Sequence, residues 1–360
     1  MRIAFFNWRD IRNPLAGGAE VYCQEVLRRL SERHEATLFT SRFPGSAGRE
    51  SIDGVEHIRF GGRYSIYARA YSCYKKHIEG RYDIIVESVN GVPFFTPLFA
   101  REPVVPFIHQ LTRENWYSGI WFPAALAGYF AEDFLLSLYR KMPAIVPSDS
   151  TRKDLLALGF GDVNVVHGAA RVERPRIKRE PRSLLYLGRL TRSKRVDHAI
   201  RAFATVKEKF PRAVLKVAGS GPEEKRLSSL ARSLGLSDSV IFLGRVGEDE
   251  KARLLAGSSL MLFPGVREGW GLVVLEANSC GTPVLGYGVP GLRDSIRDGV
   301  NGYAVRNGDI AALAGRACGL LSRPSELGRL SASSSAYARK FSWERTARQF
   351  ERILMRAVEG

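Results

Sequence analysis

At 360 residues, with 45% hydrophobic and 25% charged residues, the chain is too long for one hydrophobic core and too apolar for disorder, so two globular domains are expected. Lysine and arginine outnumber acidic residues 54 to 37, a formal charge of +17, which favours anionic ligands without choosing among nucleic acid, phosphorylated small molecules and acidic lipid. The longest apolar stretch, residues 120–130, is broken by Pro123 and is about half the ~20 residues of a membrane-spanning helix.

In chain order, apolar runs of strand length fall at 2–7, 35–41, 55–61, 83–89, 104–110, 144–148 and 163–168. Between them lie helical patterns, the clearest at 20–33, with Val21, Leu27 and Leu30 on one face and Arg28, Arg29 and Arg33 on the other. Such alternation implies a parallel sheet. The segment 171–182, RVERPRIKREPR, has two prolines, six basic residues and little to bury, and reads as an interdomain linker. A second alternating set follows, with strands expected at 183–188, 213–219, 240–244, 260–265 and 283–288 and helices at 196–210 and 222–234. A last helix from Ser342 aligns Trp343, Ala347, Phe350, Leu354 and Val358 on one stripe. The fold class is therefore α/β, two doubly wound domains in tandem, 1–170 and 171–342, with the terminal helix 343–360 expected to pack back on the first.

The strand at 2–7 starts directly after Met1, without the regions of a signal peptide, so a cytoplasmic location is expected. Cys23, Cys73, Cys280 and Cys318 are far apart and form no C-x-x-C pair, which points to buried thiols instead of disulfides or zinc.

Ligands of open α/β sheets bind at the carboxyl ends of the strands, where helix amides are free. After the strand at 183–188, G-R-L-T-R-S-K offers Arg189 and Lys194, a planar fork and a point charge suited to a diphosphate. A solvated surface turn would have the same composition, and Arg192 and Arg195 are assigned to it. After the strand at 260–265 comes VREGWGLVVLEANSCGTPV, where Gly269 and Gly271 permit a tight turn and a helix begins near Gly271. Glu268 precedes that helix and could accept from sugar hydroxyls. Glu276 lies within it, in an apolar run, and needs a partner: a ribose, or a cation on a neighbouring helix.

The Glu268-x7-Glu276 spacing in E-G-W-G-L-V-V-L-E-A, followed by G-T-P-V-L and G-L-R-D-S-I-R-D-G-V-N-G-Y, resembles the signature of the retaining glycosyltransferases of family four, group 1, which have the GT-B fold of two Rossmann-like domains facing across a cleft. G-R-L-T-R-S-K, A-G-S-G-P (218–222), F-L-G-R-V (242–246), G-G-A-E (17–20) and V-P-S (146–148) resemble further motifs of that family, in its order. The resemblance implies that Arg189 and Lys194 bind the donor diphosphate, that Glu276 holds the ribose, and that Arg245 and Val246 flank the nucleobase. It implies that Glu268, with the amides of Gly269, Gly271, Leu272 and Val273, grips the donor sugar. Gly17 and Gly18 would approach the phosphates or the acceptor, and His109 would reach the sugar, although a histidine at a strand end is as often structural. The sequence departs from the family at Pro290-Gly291 with Asp294, where Gly-Gly and Glu are common, and at His167-Gly168, where Asn-Gly is common.

No Asp-x-Asp occurs and the six histidines are scattered, so no metal and no cofactor are expected; cations and amides would stabilise the leaving group. The expected activity is transfer of a hexose from a nucleoside-diphosphate sugar to a lipid-linked or glycan acceptor in cell-surface glycan synthesis, with a soluble small-molecule acceptor as the alternative. The lipid expectation rests on residues 63–82, which mix five Lys/Arg with five Tyr, and on Trp116, Trp121 and Phe122, a combination suited to peripheral contact with an anionic membrane. An ordinary amphipathic helix and a buried loop would read the same. A nicotinamide oxidoreductase is disfavoured because the first strand leads to G-G-A-E instead of G-x-G-x-x-G and the second ends in Thr40-Ser41 instead of an acid. A nucleic-acid partner is not expected, because no recognised binding motif accompanies the charge.

Overall fold

Strands rich in Ile, Val, Leu and Phe fill both faces of a sheet covered by helices on each side, and the first such set builds one unit of the chain. The computed structural model describes residues 1–118, 122–170 and 172–359; Trp121, the side chain of Phe122 and Arg171 lie outside them. Residues 1–168 with 342–360 form one unit and 169–341 the other.

The first unit contains β1 (Arg2–Phe6), β2 (Glu35–Thr40), β3 (Arg49–Ile52), β4 (Val55–Arg59), β5 (Ile84–Val89), β6 (Val104–Ile108), β7 (Ala144–Val146) and β8 (Val163–Val165). They lie in the order β3-β4-β2-β1-β5-β6-β7-β8, parallel except for β3 against β4. The chain order reverses beside β1, which pairs with both β2 and β5. Helix Gly18–Leu30 packs Tyr22, Cys23, Val26, Leu27 and Leu30 inward, while Val21 is only partly buried, so the inward face is wider than the Val21, Leu27, Leu30 stripe. Helix Trp343–Glu359 lies on the same unit: Phe350 meets Phe5 and Phe107 at ring distances of 6.3 and 5.4 Å, and Trp343 meets Tyr22 at 5.2 Å. Val358 of its stripe stays 40% exposed.

The second unit contains β9 (Ser183–Leu187), β10 (Val214–Ala218), β11 (Val240–Gly244), β12 (Leu260–Phe263), β13 (Val284–Tyr287) and β14 (Gly302–Val305), all parallel, in the order β11-β10-β9-β12-β13-β14. Its reversal falls between β9 and β12. Helix Val196–Lys209 lays Val196, Ala199, Ile200, Phe203 and Val206 against the sheet.

Two strands, β3 and β14, are absent from the sequence expectation. β3 is a polar edge strand, Arg-Glu-Ser-Ile, whose low hydrophobicity hides it. The Asp53-Gly54 turn, with φ of +51° and +79°, is nevertheless a hairpin signal, and it joins β3 to β4 with Ile52 opposite Val55. The expected linker also differs. Residues 172–182 contain no regular element, yet Arg179 donates to Gly281 O at 2.6 Å and to Ser331 Oγ at 2.9 Å, and Glu180 N donates to Gly257 O at 2.8 Å. A cation is held there because Gly281 follows the carbonyl end of helix Leu272–Ser279.

The basic, tyrosine-rich segment forms two short helices, Ser65–Ala68 and Ala70–His77. Tyr74 is buried and donates to Glu102 at 2.9 Å, Tyr82 donates to Thr37 at 2.9 Å, and Tyr67 packs at a tilt against Phe94, ring centroids 5.0 Å apart. Only Tyr64 and Tyr71 of the five face outward, which accounts for the rest as core. All four cysteines are buried and free. Among the described residues, no helix is long and apolar enough to cross a membrane.

Candidate active site

Three turns at the carboxyl edge of the second sheet are bonded into one layer. Gly188 N donates to Ala218 O at 3.0 Å, Leu190 N to Ser220 O at 2.9 Å, and Gly219 N to Gly244 O at 2.7 Å. The approach is close enough that a Cβ on Gly219 would fall 1.9 Å from Gly188 O, so a side chain there is excluded. Arg189 rises from this layer, exposed, while its carbonyl accepts from Tyr186 Oη at 3.0 Å. Tyr186 is fully buried, and burial, reinforced by the Glu268 carboxylate and opposed by Arg189, raises its hydroxyl far above the usual range.

Lys194 ends a single 3₁₀ turn, Arg192–Lys194. Its ammonium donates to Glu268 Oε1 and stands 5.6 Å over the Phe263 ring. Arg192 and Arg195 are engaged elsewhere, with Glu223 at 3.3 Å and Asn307 at 2.5 Å. The Glu268 loop is tied on both sides, by Val266 N to Ser193 O at 2.8 Å and by Glu268 N to Pro290 O at 3.1 Å. Arg189, Lys194 and Glu268 therefore gather at the ends of β9 and β12, the two strands flanking the reversal.

Gly271 opens helix Leu272–Ser279 in the left-handed region, φ +77°, and no side chain caps it. The first-turn amides, those of Leu272 and Val273, thus gain no capping side chain at a positive dipole end. Glu276 is the fifth residue of this helix, 8% exposed, and accepts from Lys251 Nζ at 3.0 Å. Burial depresses the Lys251 ammonium, but Glu276 and Glu248 outweigh that and hold it above its usual value. A neighbouring-helix cation is thus one partner of Glu276. Arg245 is exposed in the turn after β11, and Val246 is partly buried against the core.

In the first unit, Gly17 precedes helix Gly18–Leu30, and its amide donates to Glu20 Oε2 at 2.7 Å while Glu20 Oε1 accepts from Arg9 Nε at 3.1 Å. Both charged side chains are nearly buried. Gly18 is exposed. His109, just past β6, is 7% exposed, with Nε2 at 2.9 Å from Ser88 Oγ and 3.8 Å from Cys23 Sγ. Burial lowers its pKa to about 3, so the ring is neutral. Gly17, Gly18 and His109 thus lie on the first unit, and Arg189, Lys194, Glu268 and the Gly269–Val273 turn on the second. Sequence reasoning missed Lys251, Ser88 and the polar contacts of Cys23. None carries a motif; each is found only through what it touches. Among the described residues, no three His, Cys, Asp or Glu side chains converge as metal ligands.

Residues 170–341 match the family model described as Glycosyl transferases group 1, and 16–174 that described as Glycosyltransferase Family 4. The chain is 34% identical over 224 residues to a D-inositol 3-phosphate glycosyltransferase of Mycobacterium avium, covering 56% of this chain and 52% of that protein. It is 36% identical over 180 residues to an N-acetyl-alpha-D-glucosaminyl L-malate synthase of Bacillus anthracis, covering 49% and 46%. It therefore spans about half the length of the curated relatives it matches. Among solved structures, sucrose-phosphate synthase from Thermosynechococcus elongatus superposes with a TM-score of 0.83 at 19% identity, over 99% of this chain and 98% of that one. The Anabaena protein HepE, solved with UDP-glucose, gives 0.77 at 17% identity, over 99% and 100%. With two family models spanning 16–341 and two parallel-sheet units shared with solved glycosyltransferases, the chain belongs to the group 1 glycosyltransferases and has the GT-B fold.

Proposed function

We propose that the chain transfers a sugar, with retention, from a nucleoside-diphosphate donor to a hydroxyl of a small, soluble, anionic acceptor, without a divalent ion. The observation that carries this reading is the grouping of Arg189, Lys194 and Glu268 at the ends of β9 and β12 beside the uncapped helix at Gly271. A leaving diphosphate develops negative charge as the anomeric bond breaks, and preorganised cations and amide dipoles stabilise it most effectively out of bulk water. Arg189 and Lys194 supply the charge, and the amides of Leu272 and Val273 the dipoles. Glu268 accepts from the sugar hydroxyls, and Glu276 from the ribose once a nucleotide competes for it with Lys251. Arg245 and Val246 border the base. His109, neutral, hydrogen-bonds the sugar, and the Gly17–Gly18 turn lets backbone approach the phosphates or the acceptor. No protein nucleophile is invoked: the acceptor hydroxyl attacks on the face the phosphate leaves and passes its proton to a phosphate oxygen.

The small acceptor is supported by the names of the curated relatives, which specify D-inositol 3-phosphate and L-malate, two hydroxylated anions, and by the +17 charge of the chain. The UDP-glucose seen with HepE makes a UDP-sugar the first donor to try. The test incubates the protein with UDP-, GDP- and ADP-sugars against inositol phosphate, malate and related hydroxy anions, with and without EDTA, and reads product anomeric configuration by NMR. An α-linked product formed in EDTA is expected; strict dependence on magnesium or manganese, or an inverted product, overturns the reading.

A lipid-linked acceptor is the second reading, and one observation favours it. Helix Phe122–Ser137 turns Leu126, Phe130 and Phe134 outward, 39%, 63% and 74% exposed. Sedimentation with anionic vesicles at low salt, lost in Phe130→Ser with Phe134→Ser, would favour it over the soluble acceptor.

A further inference from the structure

Ser88 and Cys23 surround His109 in a way the proposed chemistry does not require of them. Ser88, at the end of β5, is 2% exposed, and Cys23, on helix Gly18–Leu30, is 1% exposed. Cys23 Sγ donates to Ser88 Oγ at 3.8 Å, and Ser88 Oγ lies 2.9 Å from His109 Nε2. These are the hydrogen bonds the Ser88 hydroxyl makes among the described residues. With the thiol proton on one of its two lone pairs, the Ser88 hydroxyl still has its own proton to donate, and Nε2 at 2.9 Å is the acceptor we assign to it. Nε2 is then an acceptor, and the ring proton must sit on Nδ1.

Nδ1 has no partner among the described residues, on a ring that keeps 7% of its surface exposed. The ring itself is fixed by packing: Phe107 lies 4.1 Å and Tyr22 6.2 Å from its centroid. Burial keeps both partners in the required state, because it holds the Cys23 thiol protonated and the imidazole neutral.

We propose that Cys23 and Ser88 are positioning residues that fix His109 as the Nδ1–H tautomer, so that it presents a hydrogen-bond donor to an oxygen of the bound sugar. A sugar hydroxyl is an acceptor in this contact, which leaves its own proton for another acceptor or for solvent. A merely structural trio would need only a filled cavity; this one fixes the direction of a proton. The functional half of the proposal rests on the glycosyl-transfer reading above, whereas the tautomer does not.

The test therefore has two arms on the full-length protein. In the first, ring-nitrogen NMR of 15N-histidine-labelled protein, assigned by comparison with His109→Gln, is recorded near pH 7.5 without substrate. A protonated Nδ1 and a bare Nε2 are expected, with protonation moving toward Nε2 in Ser88→Ala and Cys23→Ala and staying on Nδ1 in Ser88→Thr. A protonated Nε2 in the unmodified protein overturns the proposal, whatever the enzyme transfers. In the second, kinetics with the donor and acceptor identified above should show kcat/KM about tenfold lower in Ser88→Ala, the scale of one orienting hydrogen bond, and restored in Ser88→Thr. A shifted tautomer with unchanged turnover removes the positioning role. Melting curves separate either result from misfolding.

Discussion

Lys194 and Glu268 form an ion pair that joins the turn after β9 to the turn after β12, with both side chains largely withdrawn from solvent. In the proposed reaction the donor diphosphate and the donor sugar would meet groups that already hold each other in place. Removing either partner leaves the other charge poorly solvated, so their effects are coupled. Lys194→Ala and Glu268→Ala are each expected to lower kcat by roughly 10²-fold, and the double variant by much less than the product of the two. Arg189→Ala, whose guanidinium is exposed, should lose a similar factor with an unchanged melting temperature. Steady-state kinetics of the four proteins decides it, and strictly multiplicative losses would show that the pair does not act as a unit.

Glu276 bonds to Lys251 at 3.0 Å in this structure, yet the proposed role gives it a ribose. The two are reconciled if a nucleotide hydroxyl adds to the carboxylate, which has several acceptor sites. Glu276→Gln should then weaken UDP binding about 10-fold or more, the scale of a hydrogen bond to a charged group, and should abolish the preference for UDP over 2′-deoxy-UDP. Lys251→Met leaves the carboxylate in place and should preserve that preference while lowering stability. Isothermal titration of both nucleotides into each variant is the measurement; a 2′-hydroxyl preference that survives in Glu276→Gln assigns the residue to the helix–helix pair alone.

Much of this site could be read from the sequence because its chemistry is carried by short turns that follow apolar strands. Arg189, Lys194, Glu268 and Gly271 each sit within a few residues of a recognisable strand end, and the period-two and period-3.6 patterns located those ends. What could not be read depends on contacts between distant residues. β3 is polar on its exposed edge, and only its Asp53-Gly54 turn marks it. The segment 172–182 has a linker's composition, but Arg179 finds the end of a helix more than ninety residues later in the chain. Lys251 and Ser88 stand in no motif at all: their roles come from Glu276 and His109, 25 and 21 residues away.

Pro290 stands where the first glycine of the family's usual pair is common, whereas Gly291 keeps the second, and the structure gives the reason it is retained. Its φ is +80°, and a Cβ would lie 2.0 Å from Glu268 O, so any side chain must push the Glu268 loop aside. Gly291→Ala is expected to lower kcat/KM by a factor comparable to Glu268→Ala, since the carboxylate moves with its backbone, and to cost about 1 kcal/mol or more of stability through strain. A parallel Gly308→Ala control also has a positive φ, +84°, but open space at the Cβ, and should lose stability without losing activity. Equal activity losses in both would dissociate the Glu268 loop from catalysis.

His109 is buried, and desolvation holds its folded-state pKa at about 3, against 6.5 for the free side chain. Between those values the unfolded chain binds a proton at this position that the folded protein does not. Stability contributed by the neutral ring is therefore complete above about pH 6.5 and declines as the pH falls toward 3, by at most about 1.4 kcal/mol per pH unit. His57 is also depressed by burial and adds a slope of its own, so the informative quantity is a difference. Urea unfolding of the unmodified protein and of His109→Gln, measured from pH 7.5 to 4.5, should give a free-energy gap that shrinks steadily below pH 6.5 as the histidine's penalty grows. The same depression predicts that no inflection between pH 5 and 7 in kcat/KM belongs to His109, so an inflection present in the unmodified enzyme must persist in His109→Gln. A stability gap independent of pH would mean that the ring protonates in the folded state near its ordinary value, and His109 would then be free to act as a proton donor instead of a fixed neutral hydrogen-bonding group.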